Sequence, residues 1–146
     1  MIVAWDSLRW PGKTAAQINS RIETIPPADV TVVSAGTCNI EKQNSIEVTS
    51  EIEKVIQNVS KLRPNKPVIM CQIPNRYGNK SYLNDKIDEV NSYIAKEVSK
   101  KDNWVLLSHE VNSGDFYDGL HFNERGKAKF AHEVRHLVRE ICKSKQ

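Results

Sequence analysis

Apolar residues fall along this chain in two alternating arrangements. Nearly continuous apolar runs occupy residues 2–5, 30–35, 68–73 and 104–107. Between them lie longer stretches in which apolar side chains recur every three or four positions, the period of one helix face. The first opens at Thr14, where the Thr14-x-x-Gln17 spacing suits a reciprocal side-chain cap, carries Ile18, Ile22 and Ile25, and stops at Pro26-Pro27. The second carries Ile52, Val55, Ile56, Val59 and Leu62 and ends before Pro64. Leu83, Ile87, Val90, Ile94 and Val98 mark the third, and a last helix runs from about Glu124 to Ile141 with Phe130, Val134, Leu137, Val138 and Ile141 as its apolar stripe. Short buried strands alternating with amphipathic helices predict an α/β fold, a parallel sheet covered on both faces, in one domain spanning residues 1–146. No internal repeat or linker interrupts it.

In such a fold the loops leaving the C-terminal ends of the strands carry the chemistry. Here they are residues 6–14, 36–41, 74–80 and 109–123. Composition narrows what they can do. No apolar stretch reaches membrane-span length and no basic lead precedes a long apolar core, so the expectation is an intracellular, cytoplasmic protein with no membrane partner. Cys38, Cys71 and Cys142 are an odd number without a C-x-x-C pair, which favours reduced thiols over a disulfide framework. The net charge of +3 is small and its lysines and arginines are spread along the chain, which gives nucleic-acid binding weak footing without excluding it.

Three motifs compete for attention. Gly12-Lys13-Thr14 matches the end of a phosphate-binding loop, but Ser7 stands where its first glycine should be and Pro11 lacks the N–H such a cradle needs. His132-Glu133-Val134-Arg135-His136 matches the zinc-protease pattern H-E-x-x-H, yet at 100° per residue both histidines fall opposite the apolar stripe, toward solvent. Asp118-Gly119-Leu120-His121 has a spacing that lets a carboxylate reach an imidazole and fix its tautomer, leaving the other ring nitrogen as a base.

Taken in order, Asp6-Ser7-Leu8, Pro11-Gly12-Lys13-Thr14, Ala35-Gly36-Thr37-Cys38-Asn39-Ile40 and Asp118-Gly119-Leu120-His121 resemble the conserved blocks of the SGNH or GDSL hydrolases, with the closing "DGLHFNERGKAKFA" the most specific segment. These are esterases and lipases on a flavodoxin-like three-layer αβα fold. The resemblance covers residues 3–141. Similar segments also occur in esterase-like domains carried by animal retrotransposons.

The resemblance implies acyl transfer from a small ester: Ser7 attacks the carbonyl, His121 takes its proton, Asp118 orients His121, and Gly12, Gly36 and Cys38 or Asn39 line the oxyanion side. It implies no metal and no cofactor. Two blocks depart from the family pattern. Cys38 stands at the oxyanion asparagine, with Asn39 beside it as a partial substitute, and Trp5 replaces the glycine before Asp6-Ser7. Two registers follow. In one, residues 2–5 are the first strand and Ser7 is the nucleophile; in the other, favoured by the better fit of "PGKTAAQI" to the second block, the chain starts at the second strand and one N-terminal strand is missing. A missing central strand would leave a slot to be filled by residues 2–5 or by a second copy in a homodimer. The functions expected are thus a weak or degenerate ester hydrolase, an inactive domain of the same fold making protein or RNA contacts, and, distantly, a zinc protease.

Overall fold

The computed structural model describes residues 14–20, 28–119 and 121–144. Residues 2–5, the candidate first strand, lie outside that set, as do Ser7, Gly12 and the second half of the first predicted helix. Among the described residues three strands, β1 (Thr31–Val33), β2 (Val68–Cys71) and β3 (Trp104–Leu107), pair in parallel in the order β1-β2-β3, with Val32 opposite Ile69 and Ile69 opposite Val105. Four helices among the described residues accompany them: α1 (Ala15–Asn19), α2 (Ser45–Leu62), α3 (Asn84–Ser99) and α4 (Glu124–Ser144).

Alternation along the strands divides the core into two layers. Val33, Val68 and Met70 face a cluster built from α1, α2 and α3, whose stripes Ile52, Val55, Ile56 and Ile87, Val90, Ile94 are buried against them. Val30, Val32, Ile69, Cys71 and Leu107 face the other way, onto Val134 and Val138 of α4, flanked by Phe130, Leu137 and Ile141. Each fully buried Val or Ile contributes about 1.5–3 kcal/mol relative to an exposed one, so the helix positions follow from these stripes. The architecture is helices, parallel sheet, helix: the three-layer α/β arrangement the apolar pattern predicts.

Local signals operate as expected at several ends. Thr14 caps α1, its hydroxyl accepting from the Gln17 amide at 3.2 Å while Gln17 Oε1 accepts from the Thr14 amide at 2.9 Å. Asn44 caps α2 by accepting from Glu47 N at 2.9 Å. The second strand is shorter than its apolar run. Beyond Cys71 the chain leaves the ladder because Asn91 of α3 takes over Ile73, accepting from its N–H at 2.7 Å and donating to its C=O at 2.8 Å.

Candidate active site

All three strands run the same way, so the loops after β1, β2 and β3 gather at one edge of the sheet. The loop after β3 is the most elaborate. Its 3-10 turn, Ser113–Asp115, is closed by Asn112, whose side chain accepts from Gly114 N at 2.9 Å, and by Asp115, which accepts from Asn112 N at 2.9 Å. The Asp115 carboxylate is fully buried and also receives Lys129 at 2.8 Å and Arg125 at 3.1 Å, both from the first turns of α4. The Lys129 hydrogen bond, with that from Asn112, holds Asp115 below its ordinary pKa. This places the loop on the helix that follows it.

From there Phe116 and Phe122 form an antiparallel bridge, and Tyr117 N donates to His121 O at 3.1 Å. Inside this narrow hairpin Asp118 meets His121 twice. Its Oδ1 accepts from the His121 amide at 2.6 Å, and its Oδ2 lies 2.6 Å from Nδ1. A carboxylate can only accept, so the shared proton belongs to Nδ1 and Nε2 presents a lone pair. Nε2 has no hydrogen-bond partner among the described residues, and the His121 side chain is 59% exposed. The Tyr117 ring stacks on the imidazole, 5.6 Å away and tilted by 13°.

The hairpin depends on Gly119, at φ +78°, because a Cβ there would lie 2.3 Å from the carbonyl oxygen of Tyr77. That contact brings in the loop after β2. Tyr77 N donates to Gly119 O at 2.9 Å, and the Tyr77 hydroxyl donates to Val111 O at 2.9 Å. Its neighbour Arg76 reaches the opposite way. Only 2% exposed, its guanidinium donates to Thr37 O at 2.7 Å and to Glu41 at 3.1 Å, in the loop after β1. A buried cation needs such partners. Lys80 joins the same carboxylate at 3.0 Å, and it, followed by Arg76, holds Glu41 below its ordinary pKa. Asn84 fixes the backbone of Arg76 at both its N–H (2.7 Å) and its C=O (2.9 Å). Arg76 and Tyr77, which sequence reasoning did not single out, therefore tie the two outer loops to a common centre.

Gly36 leaves β1 at φ +101° and opens a 3-10 turn, Thr37–Asn39. Cys38 is half-buried in that turn. Asn39 is buried, and all of its side chain is engaged: Oδ1 accepts from Ala15 N at 2.9 Å, while Nδ2 donates to Gln43 at 2.8 Å and to Glu51. It fastens the turn to the start of α1. Neither of its amide protons is left over for a ligand. Gly36, Cys38 and Asn39 on one loop, and Asp118 and His121 on another, thus stand at the same edge of the sheet.

The H-E-x-x-H residues do not converge. His132 and His136 are exposed on the outer face of α4, whereas Glu133 turns inward, 3.9 Å from Nδ1 of the buried His109. Burial raises Glu133 and pushes His109 down to about 4. Among the described residues no group of three His, Cys, Asp or Glu side chains is placed to hold a metal ion. Thr14 of the G-K-T sequence serves as the cap of α1.

No family model matches the chain, and no curated protein does. Solved structures do. A Streptococcus pneumonia protein described as a platelet activating factor superposes with a TM-score of 0.74 at 16% identity, over 87% of this chain and 69% of that one. A GDSL-like lipase from Bacteroides thetaiotaomicron gives 0.67 at 17% identity, over 88% and 72%. The esterase domain of the ORF1 protein of the zebrafish ZfL2-1 retrotransposon gives 0.55 at 18% identity, over 89% and 85%. The chain has the SGNH/GDSL hydrolase fold.

Proposed function

We propose that this chain is a carboxylic ester hydrolase of low turnover, in the register that makes Ser7 the nucleophile, with His121 as general base and Asp118 as the group that orients it. The observation that carries this reading is the 2.6 Å contact between Asp118 Oδ2 and His121 Nδ1, which fixes the tautomer whose Nε2 can accept a proton. The Ser7 hydroxyl attacks the ester carbonyl and its proton passes to Nε2. Backbone N–H groups of Gly12 and of the 36–39 turn stabilise the oxyanion, and His121 returns the proton to the departing alcohol. Water then cleaves the acyl-serine by the same route.

Turnover is low because the oxyanion side is one donor short. A thiol at Cys38 is a weak donor, Asn39 is committed to Gln43 and Glu51, and loss of one such donor typically costs about 10²–10³-fold in rate. Hydrolysis of p-nitrophenyl acetate tests both halves. Slow turnover should be abolished in Ser7→Ala and His121→Ala, and Cys38→Asn should raise kcat roughly 10²-fold by restoring the donor. Turnover indifferent to Ser7→Ala and His121→Ala would refute the assignment. The committed amides of Asn39 also favour a second reading, an inactive domain retaining this fold; the absence of any turnover in both the parent and Cys38→Asn would select it.

A further inference from the structure

We infer that the outer face of α4 is a docking surface for the phosphate backbone of a nucleic acid. His132, Arg135, His136, Arg139 and Lys143 are all exposed. At 100° per residue they fall within an arc of about 100°, centred opposite the stripe of Phe130, Val134, Leu137, Val138 and Ile141 that packs on the sheet. Spread along the sequence, these charges look unremarkable. The helix gathers them into one row about 17 Å long, taking 1.5 Å of rise per residue.

No acidic side chain lies within the row. Glu133 is turned toward His109, and Glu140, at its flank, reaches Lys143 at 3.5 Å. Arg125 and Lys129, nearer the start of α4, are occupied by Asp115. The side chains of Arg135, His136 and Arg139 make no hydrogen bond or ion pair among the described residues, so two permanent charges stand side by side there without a described counter-charge. Helix α4 holds six basic and three acidic side chains, a surplus equal to the net charge of +3 of the whole chain. The exposed faces of α2 and α3 mix both signs, with Glu53 beside Lys54 and Asp88 and Glu89 near Lys96.

The chemistry of the row selects the occupant. It carries no apolar side chain to enter a bilayer, which separates it from the amphipathic helices that lie on membranes. It carries no Phe, Tyr or Trp, and the bases of a duplex are already stacked on one another, so recognition is confined to the backbone and is independent of sequence. Guanidinium groups match phosphate oxygens in a fork geometry that a lone ammonium does not offer. A duplex presents about one phosphate charge per 1.7 Å of axis, roughly ten over the length of this row, which suits a short line of like charges.

Fluorescence anisotropy with labelled 20-base-pair duplexes of two unrelated sequences, at pH 7.5 and increasing NaCl, tests this. With Arg135, Arg139 and Lys143 each displacing about one counterion, the slope of log K against log salt is about −2.7, so affinity should fall roughly 40-fold between 50 and 200 mM. Both sequences should bind alike. Arg135→Gln with Arg139→Gln should reduce the slope to about −0.9, a fall of only about 3-fold over the same range, while thermal unfolding stays unchanged because neither residue touches the core. Absence of binding at 50 mM NaCl, binding unaltered in the double variant, or binding to phosphatidylserine vesicles without binding to duplex would each overturn the inference.

Discussion

Gly119→Ala isolates the contact on which the geometry of Asp118 and His121 depends. Two costs add at this position. An L-residue with a Cβ held at φ +78° pays about 1–2 kcal/mol for the left-handed conformation. The new Cβ would also meet Tyr77 O at 2.3 Å and Tyr77 C at 3.0 Å. Backbone cannot yield there cheaply, since Tyr77 is anchored through its hydroxyl to Val111 and its neighbour Arg76 is clamped by Asn84. Relief requires the hairpin to move away, which breaks the hydrogen bond from Tyr77 N to Gly119 O, a loss of about 0.5–1.5 kcal/mol. Gly78→Ala is the matched control: φ is +65°, but no atom of the described residues lies within 4 Å of the added methyl. The conformational cost is common to both variants and cancels. Gly119→Ala should therefore unfold below Gly78→Ala by about 1 kcal/mol, or roughly 2–4 °C for a chain of this size. Calorimetry measures the difference, and hydrogen exchange should show the Tyr77 amide losing protection in Gly119→Ala alone. Equal melting temperatures with the amide still protected would refute the claim that this close approach builds the hairpin.

Two further expectations concern stability away from the site. His109, with its side chain only 4% exposed and its ring packed near Phe122 and Phe130, has its pKa pushed down from 6.5 to about 4 by burial. The folded protein therefore resists a proton that the unfolded chain accepts, so stability is full above about pH 6.5 and should fall by about 2 kcal/mol on going from pH 7.5 to pH 5. Glu133, raised by its own burial, acts in the opposite sense, so the comparison is between the parent and His109→Phe, in which most of the slope between pH 5 and 6.5 should vanish; an unchanged slope in urea-melt stabilities would count against it. Thr31, buried in β1, has a hydroxyl with no hydrogen-bond partner among the described residues, and Thr31→Val should stabilise the protein by about 1 kcal/mol in chemical denaturation, whereas a loss of stability would mean the hydroxyl is satisfied.

What was legible in the sequence follows from what carries a period. The helices around Ile52, Ile87 and Val134 repeat at 3.6 and bury the stripes that this repeat marks, and the continuous apolar runs around Val32 and Ile69 form strands buried on both faces. The outward position of His132 and His136 came from the same arithmetic. The spacing of Asp118 and His121 allowed a contact between them, and its place before the last helix, together with the resemblance to the SGNH blocks, singled it out. Cys38 and Asn39 show the limit of that reasoning. Neighbours in sequence, they take different surroundings in the 3-10 turn, and only the fold reveals that Asn39 spends its amide on α1, Gln43 and Glu51.

Arg76 and Tyr77 escaped notice because loops have no period, yet α3 carries a signal that could have exposed them. Its buried stripe is Ile87, Val90, Ile94 and Val98, and at helical spacing Asn84 and Asn91 fall in line with it. A polar side chain on a buried stripe must be hydrogen-bonded, and an amide offers both a donor and an acceptor. Such a pair matches the N–H and C=O of one extended residue, which is what a strand end leaves free when its neighbour stops. Asn91 meets Ile73 in this way, and Asn84 meets Arg76. Two asparagines seven residues apart on an apolar face thus mark the path of the loop after β2 along the top of α3. Fixed along that path, Arg76 and Tyr77 can each serve one of the outer loops without a regular element of their own.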